Sequence, residues 1–132
     1  GKSMETKLVM CDTNVFIHWF RDDSKTIKTL TTIGVENIVI SAITKMELLL
    51  GAENKAELAA MKNKIQSYPV IPIIDTVSVR AIEYIENYRL SQNLQIPDAL
   101  IGATAIVFDL PLFTYNLKDF RFLPNIELYD FC

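Results

Sequence analysis

Short apolar runs alternate with longer segments of helical periodicity along the chain, and this alternation predicts an order of strands and helices. The first run, residues 7–11, stops at the polar residues Asp12, Thr13 and Asn14, which are typical of the cap that begins a helix. Gly34 and Gly51 are placed to end two of the helices. The predicted strands cover residues 7–11, 37–41, 70–74, 111–114 and 126–131, and the predicted helices cover 15–20, 24–33, 43–50, 54–67, 75–90 and 96–108.

The two C-terminal helices differ in the faces that we expect them to bury. In the helix over residues 75–90, one apolar face is predicted from Val79, Ile82, Ile85 and Tyr88. Residues 96–108 are apolar on every face, with Asp98 as the only charge, which is typical of a helix enclosed within a domain. Pro72 places the strand 70–74 at an edge of the sheet. Strands that alternate with helices in this way predict an α/β fold with a parallel sheet.

The composition is that of a globular protein. Of the 132 residues, 50% are hydrophobic and 22% are charged, which excludes disordered and collagen-like classes. We expect residues 4–132 to form a single domain and interpret residues 1–3 as a remnant of expression. Because 13 Lys and Arg stand against 16 Asp and Glu, contact with a nucleic acid has to be local or mediated by a metal ion.

Cysteine usage and hydropathy favour a cytoplasmic protein. Cys11 and Cys132 lack the spacing of a disulfide scaffold or a zinc site. The nearly apolar run 99–108 has about half the length of a membrane-spanning helix, and no signal-peptide pattern precedes the first strand. We therefore expect cytoplasmic localisation and no association with a membrane.

Acidic residues that are distant in sequence are expected to meet at one edge of the sheet. Asp12 directly follows the first strand, and Asn116 and Asp119 follow the strand 111–114. Glu47 and Asp98 are expected in the first turns of helices that begin at this same edge, because right-handed crossovers run each helix against its neighbouring strands. In an open parallel sheet, ligands bind at this carboxyl edge.

Each acid also has an ordinary structural role available. Asp12 can cap a helix, Glu47 completes a capping-box pattern, Asp98 follows a proline at a helix start, and Asp119 fits a solvated turn. Such caps contribute about 1 kcal/mol each. The set is harder to explain in this way, because Asp98 begins an apolar helix and Glu47 stands among apolar residues. Buried carboxylates need a partner.

A divalent cation is one natural partner for such a cluster. No basic residue lies within a helical turn of Asp98, whereas Lys45 stands near Glu47 and Lys118 near Asp119. Like charges that crowd together raise one another's pKa values, and Mg²⁺ or Mn²⁺ prefers a site made of oxygen ligands. A cation that binds a phosphate oxygen can activate water and stabilise the leaving oxygen, so the chemistry suits phosphodiesters.

Four short motifs carry a family resemblance. They are Asp12-Thr13-Asn14, Ser41-x-x-Thr44-x-x-Glu47-Leu48, Pro97-Asp98-x-x-Ile101 and Thr114-x-Asn116-x-x-Asp119-Phe120. Together they closely resemble the PIN-domain family, in particular its VapC-type toxins, over nearly the whole chain and in the family's order. The resemblance implies a three-layer α/β/α fold with a central, mostly parallel sheet and an Mg²⁺- or Mn²⁺-dependent ribonuclease site.

The resemblance also implies roles for individual residues and for partners. Asp12, Glu47 and Asp98 would be the three principal metal-binding acids, and Asp119 the fourth. Asn116 stands where some relatives carry a further Asp, and the positions that orient the acids or a metal-bound water correspond to Thr13, Asn14 and Thr114. The family further implies an RNA substrate, a homodimer and a cognate antitoxin that covers the active-site groove.

Three functions follow from these observations. The first is a ribonuclease in which water attacks the phosphodiester in line and leaves 5′-phosphate and 3′-hydroxyl ends. The second is a phosphotransfer domain with an acidic pocket, which fits less well because an aspartyl phosphatase would carry Asp where Asn14 stands. The third is a non-catalytic interaction module that retains the fold. Metal-dependent cleavage of RNA separates the first from the others.

Overall fold

The computed structural model describes residues 7–131, in which four short parallel strands form one sheet in the order β3-β2-β1-β4. The strands are β1 (Val9–Cys11), β2 (Ile38–Ser41), β3 (Val70–Ile71) and β4 (Leu112–Phe113). The helices are α1 (Thr13–Phe20), α2 (Ser24–Ile33), α3 (Ala42–Leu50), α4 (Lys55–Ile65), α5 (Asp75–Gln92) and α6 (Ile96–Val107). Short 3₁₀ helices cover Val35–Asn37 and Leu117–Asp119.

Alternating side chains along the strands divide the core between the two faces of the sheet. In β1, Val9 and Cys11 pack with residues of α1 to α4, whereas Met10 packs with residues of α5 and α6. The residues of β2 divide in the same way, with Val39 on the side of Met10. The predicted three-layer α/β/α fold with a parallel sheet is therefore confirmed.

The order of the strands creates a crevice between β1 and β4. The chain moves from β1 outward through β2 to β3 and then returns to place β4 on the opposite side of β1. Cys11 is in register with Phe113, and the N–H of Asp12 donates to the carbonyl oxygen of Phe113 at 2.9 Å. A reversal of strand order of this kind is where open α/β sheets bind ligands.

Helix caps determine where two of the acids lie. Asp12 caps α1, since its Oδ1 accepts from the N–H of Thr13 at 2.8 Å. The cap of α3 is Ser41, whose Oγ accepts from the N–H of Thr44 at 3.0 Å. The predicted first-turn position of Glu47 is therefore wrong: Glu47 lies in the second turn of α3, and its side chain caps nothing.

The predicted apolar face of α5 is confirmed in its second half and wrong in its first. Ile85 and Tyr88 are half-buried and pack against the core, whereas Val79 and Ile82 are 58% and 60% exposed and the fully buried residues are Val77, Ala81 and Tyr84. Helix α5 carries apolar residues on two faces, and α6 packs against the one that contains the small side chain of Ala81.

The predicted strand 126–131 is reduced to one parallel bridge between Leu112 and Leu128. Beyond that bridge the rings of Tyr129 and Phe131 pack against Phe113, with ring centroids 5.6 and 5.3 Å away. The interpretation of residues 1–3 and the prediction for Cys132 lie outside the described residues. Within residues 7–131, no helix combines the length and the apolar character that crossing a bilayer requires.

Candidate active site

Asp12 is held in the crevice by hydrogen bonds to both of its carboxylate oxygens. Oδ1 accepts from the N–H of Thr13, and Oδ2 accepts from Thr114 Oγ1 at 2.8 Å and from Asn14 Nδ2 at 3.3 Å. Only 4% of Asp12 is exposed. The bond from Thr114 joins the ends of β1 and β4 directly, so the two strands that flank the crevice fix the orientation of one carboxylate.

Glu47 is oriented by α1 rather than by its own helix. The hydroxyl of Thr13 donates to Glu47 Oε1 at 2.5 Å and lies 3.1 Å from Thr44 Oγ1, which is buried at the start of α3. A hydrogen bond of this length to a carboxylate is typical of a charge-assisted contact. Thr13 therefore couples the acid of α3 to the helix that begins at Asp12.

Asp98 and Asp119 approach the crevice from α6 and from the 3₁₀ helix that follows β4. Asp98 lies in the first turn of α6, next to Pro97, as predicted. Both carboxylates are half-buried. Asp98 is close to the positive end of the α6 dipole, which favours a negative charge there.

Burial and mutual repulsion raise the pKa values of two of the acids. Loss of hydration is the main cause for Asp98, whose pKa rises from 3.8 to about 7, and the charges of Asp12, Asp119 and Glu47 add to it. Burial also raises the pKa of Asp12, while the hydrogen bonds that it accepts act in the opposite direction. The charges of the other three predicted acids all act on Asp98, so the structure places the four predicted acids on the same side of the crevice.

The donor set fits a hard divalent cation that keeps part of its hydration shell. Among residues 7–131, no Lys or Arg forms an ion pair with any of the four acids. The same stretch holds no group of three or more His, Cys, Asp or Glu side chains placed to bind one ion together. Mg²⁺ needs no such group, since it usually binds one or two protein carboxylates and retains several waters.

The remaining predicted residues differ in how they take part. Thr114 is fully buried, and its Oγ1 accepts from the N–H of Asn116 at 3.0 Å while it donates to Asp12. Asn116 contacts the site through that backbone N–H, and its side chain is exposed. Asn14 bridges Asp12 and Tyr115: its Nδ2 donates to Asp12, and its Oδ1 accepts a hydrogen bond from the N–H of Tyr115 at 3.2 Å.

Ser41 and Thr44 belong to the second of the four motifs, but no role was predicted for either side chain. Ser41 fixes the start of α3, and Thr44 lies against the hydroxyl that orients Glu47. A polar residue at the end of a buried strand was the available signal for Ser41. The contact of Thr44 joins residues 31 positions apart, so no local pattern predicts it.

The fold and the site define a three-layer α/β/α domain with a carboxylate cluster at the switch point of a parallel sheet. The model of the PIN domain family matches residues 9–123, a range that contains all four acids. The chain therefore belongs to the PIN domain family.

Its relatives are VapC-type nucleases. The tRNA(fMet)-specific endonuclease VapC of Salmonella typhimurium is 28% identical over 132 residues, which cover 93% of this chain and 97% of that protein. Ribonuclease VapC of Rickettsia bellii is 30% identical over 129 residues, covering 91% of this chain and 93% of its own length. A solved toxin-antitoxin complex from Klebsiella pneumoniae contains a chain with a TM-score of 0.75 and 29% identity, with coverage of 89% of this chain and 94% of that one.

Proposed function

We propose that this protein is an Mg²⁺- or Mn²⁺-dependent endoribonuclease of VapC type, with its active site at Asp12, Glu47, Asp98 and Asp119. The observation that carries the proposal is the carboxylate cluster at the switch point. Its negative charges repel one another, and among the described residues no Lys or Arg forms an ion pair with them. Membership of the PIN domain family and the ribonuclease names of the relatives support the same activity.

Two of the acids are fixed by hydrogen bonds, whereas the protonation of Asp98 would change when a cation binds. Asp12 and Glu47 are held by hydrogen bonds from Thr13, which prepares their oxygens for a cation without a further ordering step. Asp98, with a pKa of about 7, holds a proton over part of the neutral range, and this proton has to leave when a cation binds. When bound, the cation would supply a Lewis acid for a phosphate oxygen and a water of lowered pKa.

The proposed reaction is hydrolysis of an RNA phosphodiester. The oxygen of a water molecule forms a bond to phosphorus while the bond from phosphorus to O3′ breaks in line with it. The attacking water gives up a proton and the departing O3′ takes one up, so the products carry a 3′-hydroxyl and a 5′-phosphate. Thr114 and Asn14 contribute by fixing Asp12 Oδ2 toward the crevice.

A phosphotransfer role for Asp12 fits this geometry less well. An aspartyl nucleophile needs an oxygen that can reach phosphorus along an unobstructed line. Both oxygens of Asp12 accept hydrogen bonds, and the residue is almost fully buried. Such an acid is suited to binding an ion from a fixed position rather than to attacking a phosphate.

We also propose a cognate antitoxin as a partner, which would bind the groove beside Glu47. This groove has a volume of about 410 Å³. Apolar side chains of three helices line it, among them Ile17, Phe20, Leu48 and Met61, together with the charged side chains of Arg21, Glu47, Glu57 and Lys64. An apolar segment seated there would lie against Glu47 and close the acidic site to RNA. The similar chain from Klebsiella pneumoniae was solved in a toxin-antitoxin complex.

A homodimer is the last element of the proposal, with the exposed face of α5 as its interface. The exposed residues of this face recur at intervals of four and three and are Asp75, Val79, Ile82, Glu86 and Arg89. Antiparallel pairing of two copies about Ile82 sets Asp75 of each opposite Arg89 of the other. Apolar contact at the centre and opposite charges at the ends would favour that pairing.

Incubation of the purified protein with structured RNAs in the presence of Mg²⁺ tests the proposed activity. We expect cleavage at defined sites, and sequencing of the fragments with and without phosphatase treatment should identify 5′-phosphate and 3′-hydroxyl ends. A 2′,3′-cyclic phosphate at the cut would contradict the proposed reaction. Absence of any cleavage across transfer, ribosomal and messenger RNAs would contradict the assignment as a ribonuclease.

A further inference from the structure

Thr44 is a fully buried residue in the first turn of α3, and its hydroxyl contacts α1 rather than its own helix. Its N–H donates to Ser41 Oγ at 3.0 Å, which fixes the residue at the end of β2. Within residues 7–131, the hydrogen-bond partner of the Thr44 hydroxyl is Thr13 Oγ1, at 3.1 Å. Because a buried hydroxyl without a partner costs free energy, the fold depends on this contact between the two helices.

Threonines elsewhere in the helices use their hydroxyls differently. A helical threonine commonly donates to the carbonyl oxygen four residues earlier in its own helix. This bond is present, at 2.7 to 3.0 Å, in Thr29, Thr31, Thr32 and Thr104. The residue four positions before Thr44 is Ile40, which lies in β2 and not in α3. The position of Thr44 therefore leaves its hydroxyl for a contact with another helix.

The number of available hydrogens gives the direction of this bond. Thr13 Oγ1 lies 2.5 Å from Glu47 Oε1, and an ionised carboxylate can only accept. A hydroxyl has one hydrogen to donate, and the shorter, charge-assisted contact is the stronger one. The hydrogen between the two hydroxyls therefore comes from Thr44. Thr44 donates to Thr13, and Thr13 donates to Glu47.

These two consecutive hydrogen bonds prepare Glu47 to bind a cation. Hydrogen bonds in series polarise one another, so the bond from Thr44 strengthens the bond that Thr13 makes to the carboxylate. It also keeps the hydroxyl of Thr13 from turning away from Glu47. While Oε1 is held in this way, Oε2 accepts no hydrogen bond from residues 7–131 and remains available to an ion.

Thr114 shows a similar arrangement on the other side of β1. Both Thr44 and Thr114 are fully buried, and the strands that precede them, β2 and β4, are the two neighbours of β1. Thr114 donates directly to Asp12 at 2.8 Å, whereas Thr44 reaches Glu47 through Thr13. The end of each strand beside β1 thus supplies one buried threonine to one of the acids.

We propose that Thr44 is a positioning residue of the acidic site, which acts on Glu47 through the hydroxyl of Thr13 and so raises the affinity for a divalent cation. The inference rests on the proposed metal-dependent function and adds a residue that touches none of the four acids by a hydrogen bond. Groups that hold a metal ligand directly contribute about 10–100-fold to metal affinity. Since Thr44 is one bond farther away, Thr44→Val should weaken Mn²⁺ binding by about 3–10-fold.

A double-variant cycle on the Mn²⁺ affinity tests this proposal. Metal-free protein is titrated with Mn²⁺, and the free ion is followed by electron paramagnetic resonance in Thr13→Val, Thr44→Val and the double variant. Because Thr44 acts through Thr13, adding Thr44→Val to Thr13→Val should change the affinity by less than about twofold. Thr44→Ala should repeat the loss, and Thr44→Ser, which keeps the hydroxyl, should bind as the wild type does.

Thr104→Val is the matched control, because it removes the hydroxyl of a buried threonine that bonds only within α6. It should cost stability in chemical denaturation and leave the Mn²⁺ affinity unchanged.

The outcomes separate this inference from the proposed function. Wild-type affinity in Thr44→Val and Thr44→Ala, equal losses in Thr44→Ser and Thr44→Val, or an equal loss in Thr104→Val would each overturn the role of Thr44. Losses in Thr13→Val and Thr44→Val that add up in the double variant would do the same. In all these cases the metal-dependent function stands. If the wild type binds Mn²⁺ no better than Asp12→Asn does, both proposals are wrong.

Discussion

Replacing Asp98 by Asn removes the charge that the acidic site tolerates least when no cation is bound. A pKa that rises from 3.8 to about 7 corresponds to about 4 kcal/mol at about 1.36 kcal/mol per pKa unit. Because the side chain is only half-buried, solvent screening reduces this figure, and we expect about 1–2 kcal/mol in practice. Asn keeps the shape of the side chain and carries no charge at any pH.

The sign of the effect follows from the raised pKa. The folded protein binds a proton at Asp98 more tightly than the unfolded chain does. The corresponding contribution to the unfolding free energy is complete below about pH 4 and is lost as the pH rises through about 7. The metal-free Asp98→Asn variant should therefore gain stability relative to wild type between pH 5 and pH 8.

Unfolding by heat or urea in chelator, at pH 5 and at pH 8, measures this difference. The gain of about 1–2 kcal/mol should raise the melting temperature of the variant by roughly 3–10 °C at pH 8. Asp75→Asn is the matched control, because it removes the same charge from an exposed side chain in the first turn of a helix, here α5. A variant Asp98→Asn that is less stable than wild type at pH 8, or a gain that Asp75→Asn shares at both pH values, would refute the reasoning.

Three further predictions concern the cation, the orientation of Asp12 and the dimer. Mg²⁺ at about a hundred times its Kd should stabilise the wild type by roughly 2.7 kcal/mol in thermal unfolding, and an equal gain in Asp98→Asn would contradict a role for Asp98 as a ligand. Thr114→Val removes a hydrogen bond to a buried carboxylate and should lower the unfolding free energy by about 1–3 kcal/mol, whereas Thr114→Ser should restore it. Chemical denaturation measures the difference, and no change in Thr114→Val would mean that the bond is unimportant. Light scattering should give about twice 15.0 kDa for the wild type and about 15.0 kDa for Ile82→Glu, and a wild-type monomer at all concentrations would exclude the dimer.

The order of the elements could be predicted because each strand and each helix cap has a local signal. Residues 9–11 are all buried, so β1 appears as a plain apolar run that ends at a polar cap. The first half of the buried face of α5 could not be predicted, because Val77 and Val79 are equally apolar and only the packing of α6 decides between them. The segment 126–131 has the composition of a strand, but its aromatic rings pack on Phe113 after a single bridge.

The shared edge of the four acids could be predicted because topology alone brings the ends of parallel strands together, although Glu47 lies one turn later in α3 than predicted. The contacts that orient these acids could not, since they join residues far apart in the chain. Thr13 reaches Glu47 over 34 positions, and Thr114 reaches Asp12 over 102.

The central claim is that the carboxylate cluster at the switch point cleaves RNA, and the cleavage rate of Asp12→Asn tests it most directly. Asn at this position keeps the shape of the side chain and an oxygen for the cap of α1, but loses one charge and one of the two acceptor oxygens. Wild type and variant are purified side by side and assayed on the same RNA with Mg²⁺ and with chelator. The account predicts cleavage by the wild type only with Mg²⁺ and a rate lower by orders of magnitude in Asp12→Asn. An Asp12→Asn protein that is free of contaminating nuclease and cuts at the wild-type rate would contradict the account.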